Sequence, residues 1–207
     1  MKGLMIKDFL TLKKSIATML LMNAFFLVFA YAGGDPSYAV SMTAIMFSML
    51  TLTSMSYDQM TKWDRYALSM PVSRKEVVIS KYLLAILLST ASVLLSFTAS
   101  FFLILPKSDM SAQELMLVAY TVFVVSQVYI AIVLPLIYKF GVERTRIISI
   151  GVLALPMVFV LLFVKSGMQM PGEEQLLFAL KCSPLPVMLI VGCSFLTSLK
   201  IYRNTEF

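Results

Sequence analysis

An all-α polytopic membrane protein of about six spanning helices is the fold class that this sequence predicts, and three observations predict it. Hydrophobic residues make up 59% of the 207 residues and charged ones only 14%, against roughly 45–50% and ~25% in ordinary soluble domains. Six long apolar runs contain no Asp, Glu, Lys or Arg, and the basic residues fall in the short connections between them. A domain of this size cannot bury so much apolar side chain in its own core, whereas lipid accepts it.

The chain opens on Met5, Phe9, Leu12 and Ile16, apolar at helical intervals, with Lys2, Lys7, Lys13 and Lys14 at other positions. That pattern predicts an N-terminal interfacial helix whose basic side chains meet anionic headgroups. The spans follow at about 15–32, 38–57, 77–105 (apolar from Tyr82), 115–138, 147–164 and 182–199, near the ~20 residues that cross ~30 Å of hydrocarbon. The first run ends in Ala30-Tyr31-Ala32, small residues of the kind found at leader cleavage sites, but it is expected to stay as a span. Between the fifth and sixth runs Pro171 and Gly172 break the chain, and Glu173, Glu174 and Gln175 open a short external helix with Leu176, Leu177 and Leu180 on its apolar side. Acids suit a helix N-terminus, and Pro184 and Pro186 restart the chain into the last span. Every hydrophilic segment is too short to fold alone, so residues 1–207 form a single transmembrane domain.

Placing the N-terminus inside leaves only Lys107, Lys165 and Lys181 of the 17 basic residues on the opposite side. The bias of Lys and Arg to cytoplasmic loops therefore puts both termini in the cytoplasm. The net charge of +6 is spread along these loops, with no basic face interleaved with aromatics, so nucleic acid is not an expected partner. Histidine is absent, which removes imidazole-based nucleophilic catalysis, HExxH metal sites and imidazole proton relays. Cys182 and Cys193 have no second pair with which to build a metal site. No catalytic or metal-binding residue is expected. A G-x-x-x-x-G-K-[ST] phosphate loop is also missing, and ion-coupled transport finds no ionisable group inside the spans to work with.

The most informative connection is Asp58 to Lys81. Met60, Trp63, Ala67 and Met70 recur at three or four residues, joined by Tyr66, while Lys62, Asp64, Arg65 and Ser69 face elsewhere; this is the pattern of a short amphipathic helix. Pro71 ends it, because the residue before a proline avoids the α region. Ser73 with Glu76 three residues later is a capping box, so the third span begins as an extension near Arg74. A short helix held between a proline break and a cap is a rigid projection able to carry force, although Trp63 and Tyr66 would equally anchor a loop at the lipid boundary.

The stretch Asp58 to Tyr82, with its polar and aromatic run, its Met70-Pro71-Val72-Ser73-Arg74 turn and its basic residue before Tyr82, resembles small bacterial permeases of the type 2 class of ABC exporters. The order of parts resembles them over nearly the whole chain. The resemblance implies a coupling helix at Met60 through Ser69, with Met60, Trp63, Asp64, Arg65, Tyr66 and Ser69 docking on a separate cytoplasmic ABC ATPase that binds ATP and Mg. It also implies a second permease, identical or paralogous, and a place in the bacterial plasma membrane. Some such permeases export amphipathic, phenol-soluble-modulin peptides, so an amphipathic peptide or lipid-like substrate is expected. The alternative is a membrane-embedded assembly or interaction protein with no transport path of its own.

On the third span Ala85, Ser89, Ser92, Ser96 and Ser100 recur at three or four residues. A small polar face suits close helix packing or the lining of a translocation path. The loop charges yield the first prediction: reporters fused at Met1 and after Phe207 are both expected to read as cytoplasmic, and an external signal from either would break the six-span topology.

Overall fold

Long apolar runs with few helix breakers fold here into helices, because lipid leaves backbone groups no partner outside the segment itself. The computed structural model describes residues 2–69, 72–165 and 172–204. Their elements are α1 (Lys2–Gly33), α2 (Pro36–Met60), α3 (Trp63–Ser69), α4 (Arg74–Leu103), a 3-10 turn (Leu105–Lys107), α5 (Ala112–Phe140), α6 (Val142–Lys165), α7 (Glu173–Cys182) and α8 (Pro184–Asn204). Among the described residues five helices, α1, α2, α4 with its 3-10 turn, α5 and α8, are long and apolar enough to cross a membrane. The fifth expected span falls on α6, 24 residues long.

Three expectations change. The N-terminal interfacial helix is not separate: it runs unbroken into the first span as α1, whose 32 residues extend about 48 Å at ~1.5 Å per residue. No proline interrupts it, and the second half of its stripe faces protein, since Leu12 is fully buried and Ile16 packs with it against Phe47, Leu50, Leu84 and Leu88, whereas Phe9 is exposed. Met60 closes α2 rather than opening the short helix, which begins at Trp63. Cys182 ends α7, and the last helix starts two residues later at Pro184, a residue well suited to a first helical turn. Met70 and Pro71, and with them the proline stop, lie outside the described residues, as does Pro171.

The contacts sort the helix ends into two sets. At one end Lys7 reaches Asp58, the Gln59 side chain accepts from the Val142 backbone, and Arg74 donates to the carbonyls of Tyr202 and Arg203. At the other, Lys107 donates to the Tyr31 hydroxyl, Ser37 meets Met110 and Tyr120 pairs with Ser183. α2 and α4 form the central pair, and α4 touches α1, α2, α5 and α8. α1 and α8 leave most of their apolar surface exposed, as helices against lipid do.

Polar side chains buried between the helices join them. Asn23 of α1 spends both amide hydrogens, on Thr43 of α2 at 2.8 Å and Ser96 of α4 at 2.9 Å. Gln127 of α5 donates to Ser89 of α4 at 2.8 Å. Pro135, inside α5, has no N–H for the carbonyl of Ala131 four residues before it. Ser194 of α8 supplies the missing hydrogen, with Oγ 2.5 Å from that carbonyl. A hydroxyl has one hydrogen, so in the 2.6 Å contact between Tyr82 and Ser194 tyrosine is the donor. Ser198, at 2.8 Å, then donates to tyrosine.

This chain from α4 through α8 to α5 gives a second prediction. Ser194→Ala strands a buried carbonyl and is expected to cost about 1–2 kcal/mol of stability in micelles, above the ~0.6 kcal/mol average for hydrogen bonds between membrane helices. In a Pro135→Ala background residue 135 regains its N–H, and the same change should cost clearly less. Equal losses in both backgrounds, measured by denaturant titration, would refute the account.

Candidate functional site

The turn after α2 is built by backbone chemistry. The Thr61 and Lys62 amides donate to Tyr57 and Gln59 at 3.0 and 3.2 Å, and the Thr61 hydroxyl reaches the Tyr57 carbonyl at 2.9 Å, so carbonyls orphaned by the helix end find partners. Lys62 takes φ of 52°, a left-handed conformation that turns the chain sharply into α3. On the far side Ser73 and Glu76 complete their capping box: the Ser73 hydroxyl accepts from the Glu76 amide at 3.2 Å and the Glu76 carboxylate accepts from the Ser73 amide at 2.9 Å.

α3 shows two faces. Ala67 is buried and Trp63 half-buried, both against the cluster that holds Met55, Val77 and Tyr82. Tyr66 is 57% exposed and Met60, the last residue of α2, is 78% exposed, and Ser69 is exposed with its hydroxyl on the Tyr66 carbonyl. Trp63 and Tyr66 lie 5.4 Å apart by ring centroid. Of the six residues expected to dock a partner, Met60, Tyr66 and Ser69 therefore present outward and Trp63 inward. The side chains of Asp64 and Arg65 lie outside the described part.

Behind Trp63 sits a constellation that sequence reading missed. Lys7 and Asp8 of α1, Asp58 of α2 and Lys81 of α4 form one neutral cluster. Lys81 lies 2.8 Å from Asp8, 2.5 Å from Asp58 and 3.1 Å from the Ser54 hydroxyl, which uses all three ammonium hydrogens. Lys7 lies 2.6 Å from Asp58 and 2.9 Å from Asp8, and its Nζ is 4.3 Å from the centroid of the Trp63 ring. Asp8, Asp58 and Lys81 are buried. Lys7 thus faces carboxylates and an indole instead of lipid headgroups. The available signal was an acid at each edge, Asp8 and Asp58, set level with a basic residue across the fold.

Two further links fasten the same end. Gln59 caps α6 at the Val142 amide, 3.1 Å away, beside Gly141, whose φ of 82° lets α5 stop and α6 start without a loop. Arg74 reaches the last carbonyls of α8 at 2.9 and 2.7 Å, where a cation complements the negative helix terminus.

Ser89, Ser92, Ser96 and Ser100 are all fully buried. Ser89 accepts from Gln127 and Ser96 from Asn23, Ser92 donates to the Ser89 carbonyl, and the Ser100 hydroxyl has no hydrogen-bond partner among the described residues. A groove of about 220 Å³ opens elsewhere, between α2, α5 and α6, with almost wholly apolar walls; the Ser48, Thr121 and Ser126 hydroxyls along it are spent on carbonyls of their own helices.

No curated protein matches the chain. The family model described as ABC-2 family transporter protein does, over residues 3–203. That match runs from α1 to α8 and takes in Lys7, Asp8, Asp58 and Lys81, and the chain belongs to the ABC-2 transporter family as a membrane permease component.

Proposed function

We propose that this permease is half of the membrane part of an ATP-driven exporter, working with a second copy or a paralogue and with two ABC ATPase subunits that supply ATP and Mg chemistry. The observation that carries this reading is α3, a short helix entered through a tight hydrogen-bonded turn, whose Tyr66 and Ser69 face outward together with Met60 of α2 at the end of the bundle richest in Lys and Arg. By the bias of basic residues that end is cytoplasmic, both termini with it, in a bacterial plasma membrane. α6 then completes six spans, and α7 lies on the outer side before the last of them.

The cargo is an amphipathic peptide or lipid-like molecule. Support comes from the groove between α2, α5 and α6, whose walls are almost wholly apolar and suit the apolar part of such a molecule. The serine face of α4 is read as a packing surface: its side chains lie against Asn23 and Gln127, and small residues let helices approach closely. A membrane-embedded assembly protein remains the rival, and the docking experiment separates the two.

In that experiment the chain is purified with the ABC ATPase that accompanies it. Tyr66→Ala is expected to weaken ATPase binding by about 2 kcal/mol, some thirtyfold, as exposed aromatics at interface centres do, with Met60→Ala acting in the same direction. Native ATPase affinity in both variants would remove α3 from the interface and favour the assembly protein. The isolated chain is expected neither to bind nor to hydrolyse ATP, since its sequence has no phosphate-cradling loop; stoichiometric nucleotide binding to it would contradict the division of labour.

A further inference from the structure

The four-charge cluster has one feature that neutrality alone does not require. An ammonium offers three hydrogens. Lys81 spends all of its own on Asp8, Asp58 and Ser54, inside the helix bundle. Lys7 spends two directions on Asp58 and Asp8 and turns the remaining side to the Trp63 ring, 4.3 Å from its centroid. An ammonium held over an indole face is attracted by the ring quadrupole, more strongly where water is partly excluded. The Lys7 side chain is only 23% exposed.

The connectivity is asymmetric. α3 follows α2 in the chain and leads to α4, so covalent bonds tie it to both. It has no covalent tie to α1, and the Lys7 contact crosses that gap.

We propose that Lys7 is the positioning residue of the docking helix: its ammonium joins Trp63 to the Asp8–Asp58–Lys81 cluster, so that α3 and the first membrane helix move together. This rests on the reading of α3 as the ATPase-docking helix, and it adds which membrane helix receives the motion. Displacing α3 pulls on α1 through Lys7, in addition to α2 and α4 through the backbone. The first 14 residues then act as a lever on the first span rather than as a headgroup anchor.

Trp63 is the only tryptophan in the chain, so intrinsic fluorescence of the full-length protein in micelles reports on this contact without a label. Lys7→Met keeps the stem and removes the charge; it is expected to raise acrylamide quenching of Trp63 by about twofold or more, with a red-shifted emission, as the ring loses its partner. Lys7→Arg, which keeps a cation able to pair with carboxylates and stack on the ring, should restore native quenching. Lys7→Met alone leaves the cluster with an excess carboxylate and can fail to fold. The double variant Lys7→Met with Asp58→Asn restores neutrality and decides the matter. Quenching that stays raised in the double variant supports the lever. Native quenching in a folded Lys7→Met protein, or its return in the double variant, overturns it, because charge balance alone would then account for the cluster. The measurement needs no ATPase. A negative result retires the role of Lys7 and leaves the docking reading standing, whereas an ATPase indifferent to Tyr66 retires the docking reading with Trp63 quenching unchanged.

Discussion

Two lysines and two aspartates gathered at one point, three of the four held out of water, fix three helices at once. An ion taken from water into a protein interior loses several kcal/mol of solvation even after relaxation, and that loss is recovered only where opposite charges and donors meet it at close range. Here Asp58 lies within 2.6 Å of Lys7 and within 2.5 Å of Lys81, and Asp8 meets the same two ammonium groups. No single helix could supply this arrangement. α1 brings one residue of each sign, 2.9 Å apart, α2 an acid and α4 a base, so α2 and α4 each arrive with a charge that only their neighbours neutralise. The arrangement specifies a register: a shift of α1 by one turn would carry Lys7 and Asp8 about 5.4 Å, out of reach of both partners.

Below this level the helices are joined by neutral groups, and the difference in strength matters. Removing one member of a buried ion pair costs roughly 3–5 kcal/mol, whereas hydrogen bonds between membrane helices average ~0.6 and reach ~1.7 kcal/mol. Asn23 adds neutral links within the α1, α2 and α4 group. Gln127 to Ser89 and the Tyr82, Ser194 and Ser198 cluster join α4 to α5 and α8. Removing one member of the charge cluster is therefore costlier than removing one neutral link, because a charge is left buried without its partner, and the cluster lies at the end of the bundle that carries α3.

Much of this was legible in the sequence, and the parts that were not share a cause. The long helices, the short helix near Trp63, the Ser73 to Glu76 cap and the helix before α8 follow from local pattern, which periodicity and capping chemistry read directly. The continuity of α1 does not. An apolar stripe of Met5, Phe9, Leu12 and Ile16 suits a lipid surface and a protein surface equally, and the decision lies with Phe47 and Leu84, far away in sequence. The same holds for Lys7 and Lys81, which look like ordinary loop cations until Asp8 and Asp58 are seen opposite them. Pro135 stands within the fourth apolar run, and the carbonyl that it leaves without a donor meets Ser194, 59 positions on, only once α5 and α8 are paired.

The orientation argument and the charge cluster bear on each other. Basic residues set topology through their number near the ends of spans, and a lysine neutralised by a buried aspartate differs physically from one in open solvent. Lys7 and Lys81 are paired in the folded chain, yet Lys13, Lys14, Lys75, Lys139, Arg144 and Arg146 lie in the same set of connections, and in the six-span topology that the sequence predicts only three basic residues oppose them. The bias therefore survives removal of both cluster lysines from the count. Lys7 and Lys81 are free to serve the fold because orientation does not depend on them, and this is how a loop-like cation can sit in a buried cluster without confusing the topology of the chain around it.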